Sequence, residues 1–520
     1  MQIEPPVTAF ARRYARGEAQ IVWTTLVADL ETPVSAFLKI AGQRPMSFLL
    51  ESVEGGEARG RYSIIGLDPD LVWRTADGRA EILRRSEGRN DFRPCEERPL
   101  SALRAVIAES RIEIPDPLPP MAAGIFGYLG YDMVRLMEEL PSPNPDPIGI
   151  PDALLMRPTL VVVFDTVTDT ITIVTPVRPE AGVRAEAAFE RAGRRLAGIV
   201  EALDAPLAHS PPRVKSGSLT VWPSSNTTSA EYERSVEVAK EYIAAGDIFQ
   251  VVLSQRFQAP FELPPFALYR ALRRINPAPF LYFLDFGSFA VAGSSPEILV
   301  RVREGTVTIR PLAGTRPRGA TPAEDKALET ALLADPKERA EHLMLLDLGR
   351  NDVGRVSRTA TVTVTDQFLI ERFSQVMHIV SNVEGKLDAG KDALDAMVAG
   401  FPAGTVSGAP KVRAMEIVDE LEKEKRGLYA GSVGYFSAAG ELDSCIILRT
   451  ALIKDGMMYV QAGAGIVADS NPKSEQQECV DKAKALFRAA EEAQPPKVTA
   501  ALWANRRRNG RPKIVEKWKR

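Results

Sequence analysis

From about residue 20 to 175 the chain is a succession of short strand-like runs cut by turn signals: SFLLES, GRYSIIG, LVWRTA, AEILRR and the long TLVVVFDTVTDTITIVTPV. That pattern reads as an antiparallel sheet platform with one helix, at about 101–110. A charged helical stretch at 180–203 then runs into a segment rich in Pro, Ser, Thr and Asn. The composition marks a connection, so we expect an N-terminal region 1–205, a linker 206–228 and a second region 229–493. Thr228 and Glu231 form a capping box for a helix whose apolar stripe is Tyr232, Val236, Ala239 and Ile243, with Gly246 as its stop. Further strand runs follow (FQVVLSQRF, FLYFLDFGSFAVAG, EILVRVREGTVTIRPLAG), and from Pro322 helices and strands alternate. The expected class is α/β (α+β). Residues 494–520, with Arg506, Arg507, Arg508, Arg511 and Lys513, read as a solvated basic tail.

Composition narrows the function. With 65 Lys+Arg against 68 Asp+Glu the formal charge is −3, so there is no global basic field and no nucleic-acid partner is expected. No stretch approaches the roughly 18 consecutive apolar residues of a membrane span, and the N-terminus has no apolar signal core, so a cytoplasmic protein without a membrane partner is expected. The 520 residues, 45% apolar, suffice for a large core. Cys95, Cys445 and Cys479 are odd in number and lack C-x-x-C spacing, against both a disulfide framework and a zinc site.

Three segments could carry chemistry. In DPKERAEHLMLLDLGRND, Asp335 reads as an N-cap, Pro336 as the first helical residue and Glu338 as the closing member of a capping box. Glu341 lies one turn further on, and Glu475 and Glu478 repeat the same spacing after Asn471-Pro472. Two helices with stacked carboxylates could converge on Mg²⁺; the alternative is two solvated acidic faces. Lys482 falls on the second stripe and could hold a substrate carboxylate. FPAGTVSGAPKVRAMEI starts a helix after a turn containing Gly404 and Thr405, either an anion site or a plain helix start. His378 lies in an apolar strand-like run, where a core role and a catalytic role both remain open.

Together GSSPEILVRV, RPLAGTRPRG, DPKERAEHLMLLDLGRND, ERFSQVMHIVSNVEG, FPAGTVSGAPKVRAMEI, GLYAGSVGYF, LRT and QAGAGIVADSNPKSEQQE, with LLES at 49–52, resemble the successive motifs of the chorismate-utilising enzymes. Within that family they are most similar to the large, aminating subunits that form anthranilate. The resemblance implies a layered antiparallel β-sheet sandwich flanked by helices, chorismate and ammonia as substrates, and Mg²⁺ as cofactor. By position it implies Glu341 and Glu478 as direct metal ligands with Glu338 and Glu475 beside them. It makes Glu297 the general acid for the departing C4 hydroxyl and His378 the base for loss of pyruvate. Arg449, Tyr429, Gly465 and Lys482 correspond to carboxylate contacts, and Gly314, Thr315 and Thr405 to residues lining the ring, Thr405 on the catalytic side.

Two positions separate the branches of that family. Ala313 replaces the lysine nucleophile of enzymes forming 4-amino-4-deoxychorismate, and Gln250 replaces the lysine that activates water in isochorismate and salicylate synthases. None of the three cysteines sits in a G-x-C-x-G elbow, so a separate glutamine amidotransferase subunit, in a hetero-oligomer, is expected to supply ammonia. Leu50, Glu51 and Ser52 resemble one wall of a tryptophan pocket in feedback-inhibited members, and Pro279, Phe280 and Leu281 the second. Phe280 and Leu281 depart from one common N-P-S-P-Y-M pattern, as Gln375 does from a frequent histidine.

Overall fold

A computed structural model describes residues 1–42, 44–54, 58–85, 91–207, 223–373 and 376–493, without the side chains of residues 53, 54, 58 and 59. Most of the expected linker (208–222), Gln375 and the basic tail 494–520 lie outside the described residues. Every strand pairing is antiparallel, as the closely spaced turn signals require. The ladder crosses the chain: Ser47–Glu54 pairs with Phe280–Asp285, and Gly124–Leu129 pairs with Ser432–Ser437.

Alternation along the strands builds the layers. In Phe280–Asp285, Tyr282 and Leu284 face a core shared with Phe48, Phe126 and Cys445 between strands of both halves. Leu281 and Phe283 face the opposite side, against helices Pro33–Ile40, Pro265–Ile275 and Pro472–Glu492. A third core packs Val300, Ile446 and Ala464 against Leu346, Met397 and Ile417 of helices Pro336–Gly354, Ala393–Gly400 and Lys411–Leu421. The result is the expected layered antiparallel sandwich with helices outside it.

Local signals mostly hold. Thr228 and Glu231 close the capping box of Ser229–Ala245, and Gly246 ends that helix at φ +86°. The box at Asp335 does not close. Asp335 caps Pro336–Gly354 by accepting from the Lys337 and Glu338 amides, whereas the Glu338 carboxylate turns to Arg316 at 2.7 Å. A guanidinium across the strand is a stronger partner than the free cap amide.

Candidate active site

The strand Leu312–Pro317 departs from its register with Val376–Lys386 between Ala313 and Thr315. Gly314 occupies that bulge at φ +71°, and a Cβ there would stand 3.1 Å from Glu338 Oε2. The bulge turns the Gly314 carbonyl onto His378 Nδ1 at 3.0 Å, with Thr315 Oγ1 at 3.1 Å. A carbonyl only accepts, so Nδ1 carries the proton and Nε2 presents its lone pair, buried and without a partner. Burial, then the charges of Arg449 and Lys482, lower the imidazole pKa to about 4. Phe373 meets the ring edge-on at 5.4 Å between centroids.

Glu297, between strands Ala290–Ser295 and Ile298–Arg303, is 5% exposed. Burial raises its carboxyl to about 8, against the Thr405 side chain and the Leu312 amide, which oppose the rise. It is therefore a protonated acid at neutral pH. Thr405 Oγ1 lies beside it, buried and without a well-formed hydrogen bond, in a small space shared with Leu345 and Gly404.

The acidic helices meet at the other edge. Glu341 is raised by burial and then by Glu338 and Glu478, and Glu475 by burial and Glu478; neither has a salt-bridge partner among the described residues. Gln250 Nε2 lies 3.3 Å from Glu341 Oε1 and would be 2.6 Å from a Cβ at Gly465. Lys482 lies on Glu478 at 2.6 Å and on the Gly463 carbonyl at 2.8 Å, so it holds a carboxylate of the protein in this structure. The Tyr429 hydroxyl would be 2.7 Å from a Cβ at Gly463. Arg449 lies half-buried near His378, its pKa lowered by desolvation, and no carboxylate pairs with it among the described residues.

Among the described residues no three His, Cys, Asp or Glu side chains are drawn together tightly enough to hold a metal ion, because Arg316 and Lys482 pull Glu338 and Glu478 aside. The donor set is nonetheless the one a hard cation takes: oxygen only, and anionic in excess at Glu341 and Glu475.

The chorismate-binding enzyme family model matches residues 47–488. The chain belongs to the chorismate-binding enzymes. It is 56% identical over 510 residues to anthranilate synthase component 1 of Cereibacter sphaeroides, covering 96% of this chain and 99% of that one. It is 50% identical to the component 1 of Pseudomonas putida over 467 residues, 89% of this chain and 93% of that one. Among solved structures, anthranilate synthase component I from Streptococcus pneumoniae superposes with a TM-score of 0.73 at 39% identity, covering 89% of this chain and 99% of that chain. The menaquinone-specific isochorismate synthase of Escherichia coli shares the fold, with a TM-score of 0.68 at 20% identity over 93% of this chain and 98% of that one.

In this member of the chorismate-binding enzymes the remaining motif residues assemble elsewhere. Strand pairing sets Ser52 opposite Phe280 and Glu51 opposite Leu281, and Leu50, Glu51, Ser52, Pro279, Phe280 and Leu281 all line one cavity of about 690 Å³ that reaches Glu297. Glu51 is saturated: Arg273 grips both its oxygens at 2.7 and 2.8 Å, and the Tyr269 hydroxyl donates to one of them. Sequence reasoning missed Phe373 against His378, Arg316 on Glu338, and Arg301, Arg303 and Asp443 in the cavity wall. The two arginines of GTRPRG, spaced by one proline, were the available signal for Arg316.

Proposed function

We propose that this enzyme is the aminating component of an anthranilate synthase, converting chorismate and ammonia to anthranilate, pyruvate and water. The observation that carries this is the half-buried Arg449 guanidinium without a carboxylate, beside a neutral imidazole with a free Nε2 and within a site that also holds a protonated acid. Such a guanidinium calls for an anionic ligand, and a planar fork suits a carboxylate. With the enolpyruvyl carboxylate on Arg449, its charge offsets the part of the His378 depression that Arg449 adds to burial, and the imidazole becomes more basic. Glu297 gives its proton to the departing C4 hydroxyl as ammonia bonds to C2. His378 Nε2 then takes the C2 proton as the side chain leaves, finally as pyruvate, and the ring becomes aromatic. Gln250 has no basic nitrogen to activate water and Ala313 no amine to attack the ring, so the site favours ammonia, already nucleophilic when neutral.

Glu341 and Glu478, with Glu338 and Glu475 behind them, would hold Mg²⁺. When bound it supplies charge neutralisation for the ring carboxylate as the hydroxyl departs. Ammonia would come from a separate glutamine amidotransferase subunit, since burial raises the thiols of Cys95, Cys445 and Cys479, Cys479 to about 12, and none is an activated nucleophile. The cavity behind Leu50–Ser52 and Pro279–Leu281 would take tryptophan as a feedback inhibitor.

The test is product identity from the purified chain with chorismate, Mg²⁺ and ammonium at mildly alkaline pH. Anthranilate plus pyruvate in equal amounts, lost on adding EDTA, is expected. A hydroxylated or unaromatised product overturns the assignment, and glutamine-dependent activity without a second protein overturns the partner reading.

A further inference from the structure

Arg426 follows the end of helix Lys411–Leu421, and its side chain is 1% exposed. A guanidinium cannot shed its charge at this depth, so the protein has to answer it. Glu422 does so with two parallel bonds, Nε to Oε2 at 3.0 Å and Nη2 to Oε1 at 2.6 Å. Tyr131 and Tyr429 present ring faces to it, 4.8 and 5.5 Å from the guanidinium carbon to their centroids. Two more hydrogens go to backbone: Nη1 donates to the Val406 carbonyl at 2.7 Å and Nη2 to the Val252 carbonyl at 2.6 Å.

Each of these outer contacts adjoins a residue placed at the substrate. Val406 closes the turn Gly404–Val406 and directly follows Thr405, which lies beside the Glu297 carboxyl. Val252, in strand Gln250–Pro260, stands opposite Gly465 of strand Met457–Ile466, and its own amide donates to the Ser407 carbonyl at 2.9 Å. Tyr429 touches the guanidinium itself, and its hydroxyl lies against Gly463, two residues before Gly465. Glu422 adds a tie to the same strand as Val252, its Oε1 accepting the Ser254 amide at 2.8 Å and hydroxyl at 2.9 Å. A buried ion pair is a poor device for stability alone, because well-packed apolar residues in its place are often as stable. What an apolar pair cannot reproduce is a rigid plane whose hydrogens leave at fixed angles and hold three separate elements at fixed separations.

We propose that Arg426 is a positioning residue for the reaction: its guanidinium sets the Thr405 turn, on the acid side of the site, in register with the Gly465 and Tyr429 contacts on the carboxylate side, without itself meeting the substrate. This rests on the chorismate reading of the site given above. A purely structural Arg426 would change only how readily the enzyme unfolds, whereas a positioning residue changes the kinetics of enzyme that is fully folded.

Initial rates of anthranilate formation, over chorismate concentration and between pH 6.5 and 9.5 with free ammonia held constant, test it on Arg426→Lys and Glu422→Gln, each at a temperature where its near-ultraviolet circular dichroism matches that of the wild type. Lysine keeps the charge but has neither the plane nor the span to hold two carbonyls and a carboxylate together. Arg426→Lys should raise KM for chorismate and lower kcat, reducing kcat/KM at least tenfold. Because Thr405 holds the proton affinity of Glu297 down, loosening its turn should also carry the alkaline limb of kcat to higher pH. Glu422→Gln keeps the shape of the carboxylate and the backbone contacts of Arg426, so it should move the same quantities in the same direction, with kcat/KM reduced at least threefold, and it carries the test alone if the lysine variant does not fold. A lowered melting temperature with kcat, KM and the alkaline limb all unchanged in every folded variant overturns the inference while the chorismate reading stands. A folded wild type that forms no anthranilate overturns that reading and this inference with it.

Discussion

At the scale of single residues, burial pushes two groups toward their neutral forms. Glu297 keeps its proton up to about pH 8, and His378 stays neutral down to about pH 4. With free ammonia held constant, amination is expected to fall as pH rises through about 8, because the acid form is lost. Glu297→Gln should remove that limb and lower kcat by about 10²–10⁴-fold, read from initial rates between pH 6.5 and 9.5. Stability follows the same carboxyl: its folded-state pKa is raised, so its contribution is intact below about pH 4.5 and lost as pH rises through about 8. Glu297→Gln should therefore melt higher than wild type at pH 8.5 and gain nothing at pH 4.5. Arg449→Ala should act on binding instead. Loss of a charge-assisted fork costs about 2–4 kcal/mol, so kcat/KM for chorismate should drop by roughly 30–1,000-fold.

Single elements show what the sequence made legible. The two acidic helices were readable because helical spacing is local: a carboxylate at i and i+3 shares a face whatever lies around it. The pairing of Lys482 with Glu478 is local in the same way, an i, i+4 contact on one helix, whereas that of Arg316 with Glu338 was not readable, since it depends on where a bulged strand arrives. His378 shows the same limit. Its apolar strand was plain, yet the register shift that lays the Gly314 carbonyl against Nδ1 belongs to the partner strand. Glu297 was placed by resemblance, and its raised proton affinity comes from burial built by distant elements. The cap of Pro336–Gly354 offers a test at this scale. Asp335 serves two amides and Arg316 together. Asp335→Ala should cost about 1–2 kcal/mol by denaturant titration.

The whole molecule is bound by pairings that ignore sequence order. Strand Ser47–Glu54 needs Phe280–Asp285, and strand Gly124–Leu129 needs Ser432–Ser437. A chain ending at residue 205 would leave these backbone edges open and the core around Phe48 and Phe126 without Tyr282 and Cys445. Expressed alone, that stretch is expected to aggregate or to lack near-ultraviolet circular dichroism, and the full chain to unfold in one transition; an independently folded 1–205 fragment would contradict this.

The crossing ladder also sets a schedule for synthesis. The cavity between Leu50–Ser52 and Pro279–Leu281 and the catalytic cleft both need strand Leu442–Ile446 or its neighbours, so neither exists until nearly all of the chain has left the ribosome. Long-range pairing of this kind is slow, and the early strands, paired on one side with near neighbours, must wait with the other edge open through most of translation. Catalysis thus matures last: no nascent or truncated product lacking these strands can consume substrate, and the period of greatest vulnerability to misassembly falls before the enzyme has made its first turnover.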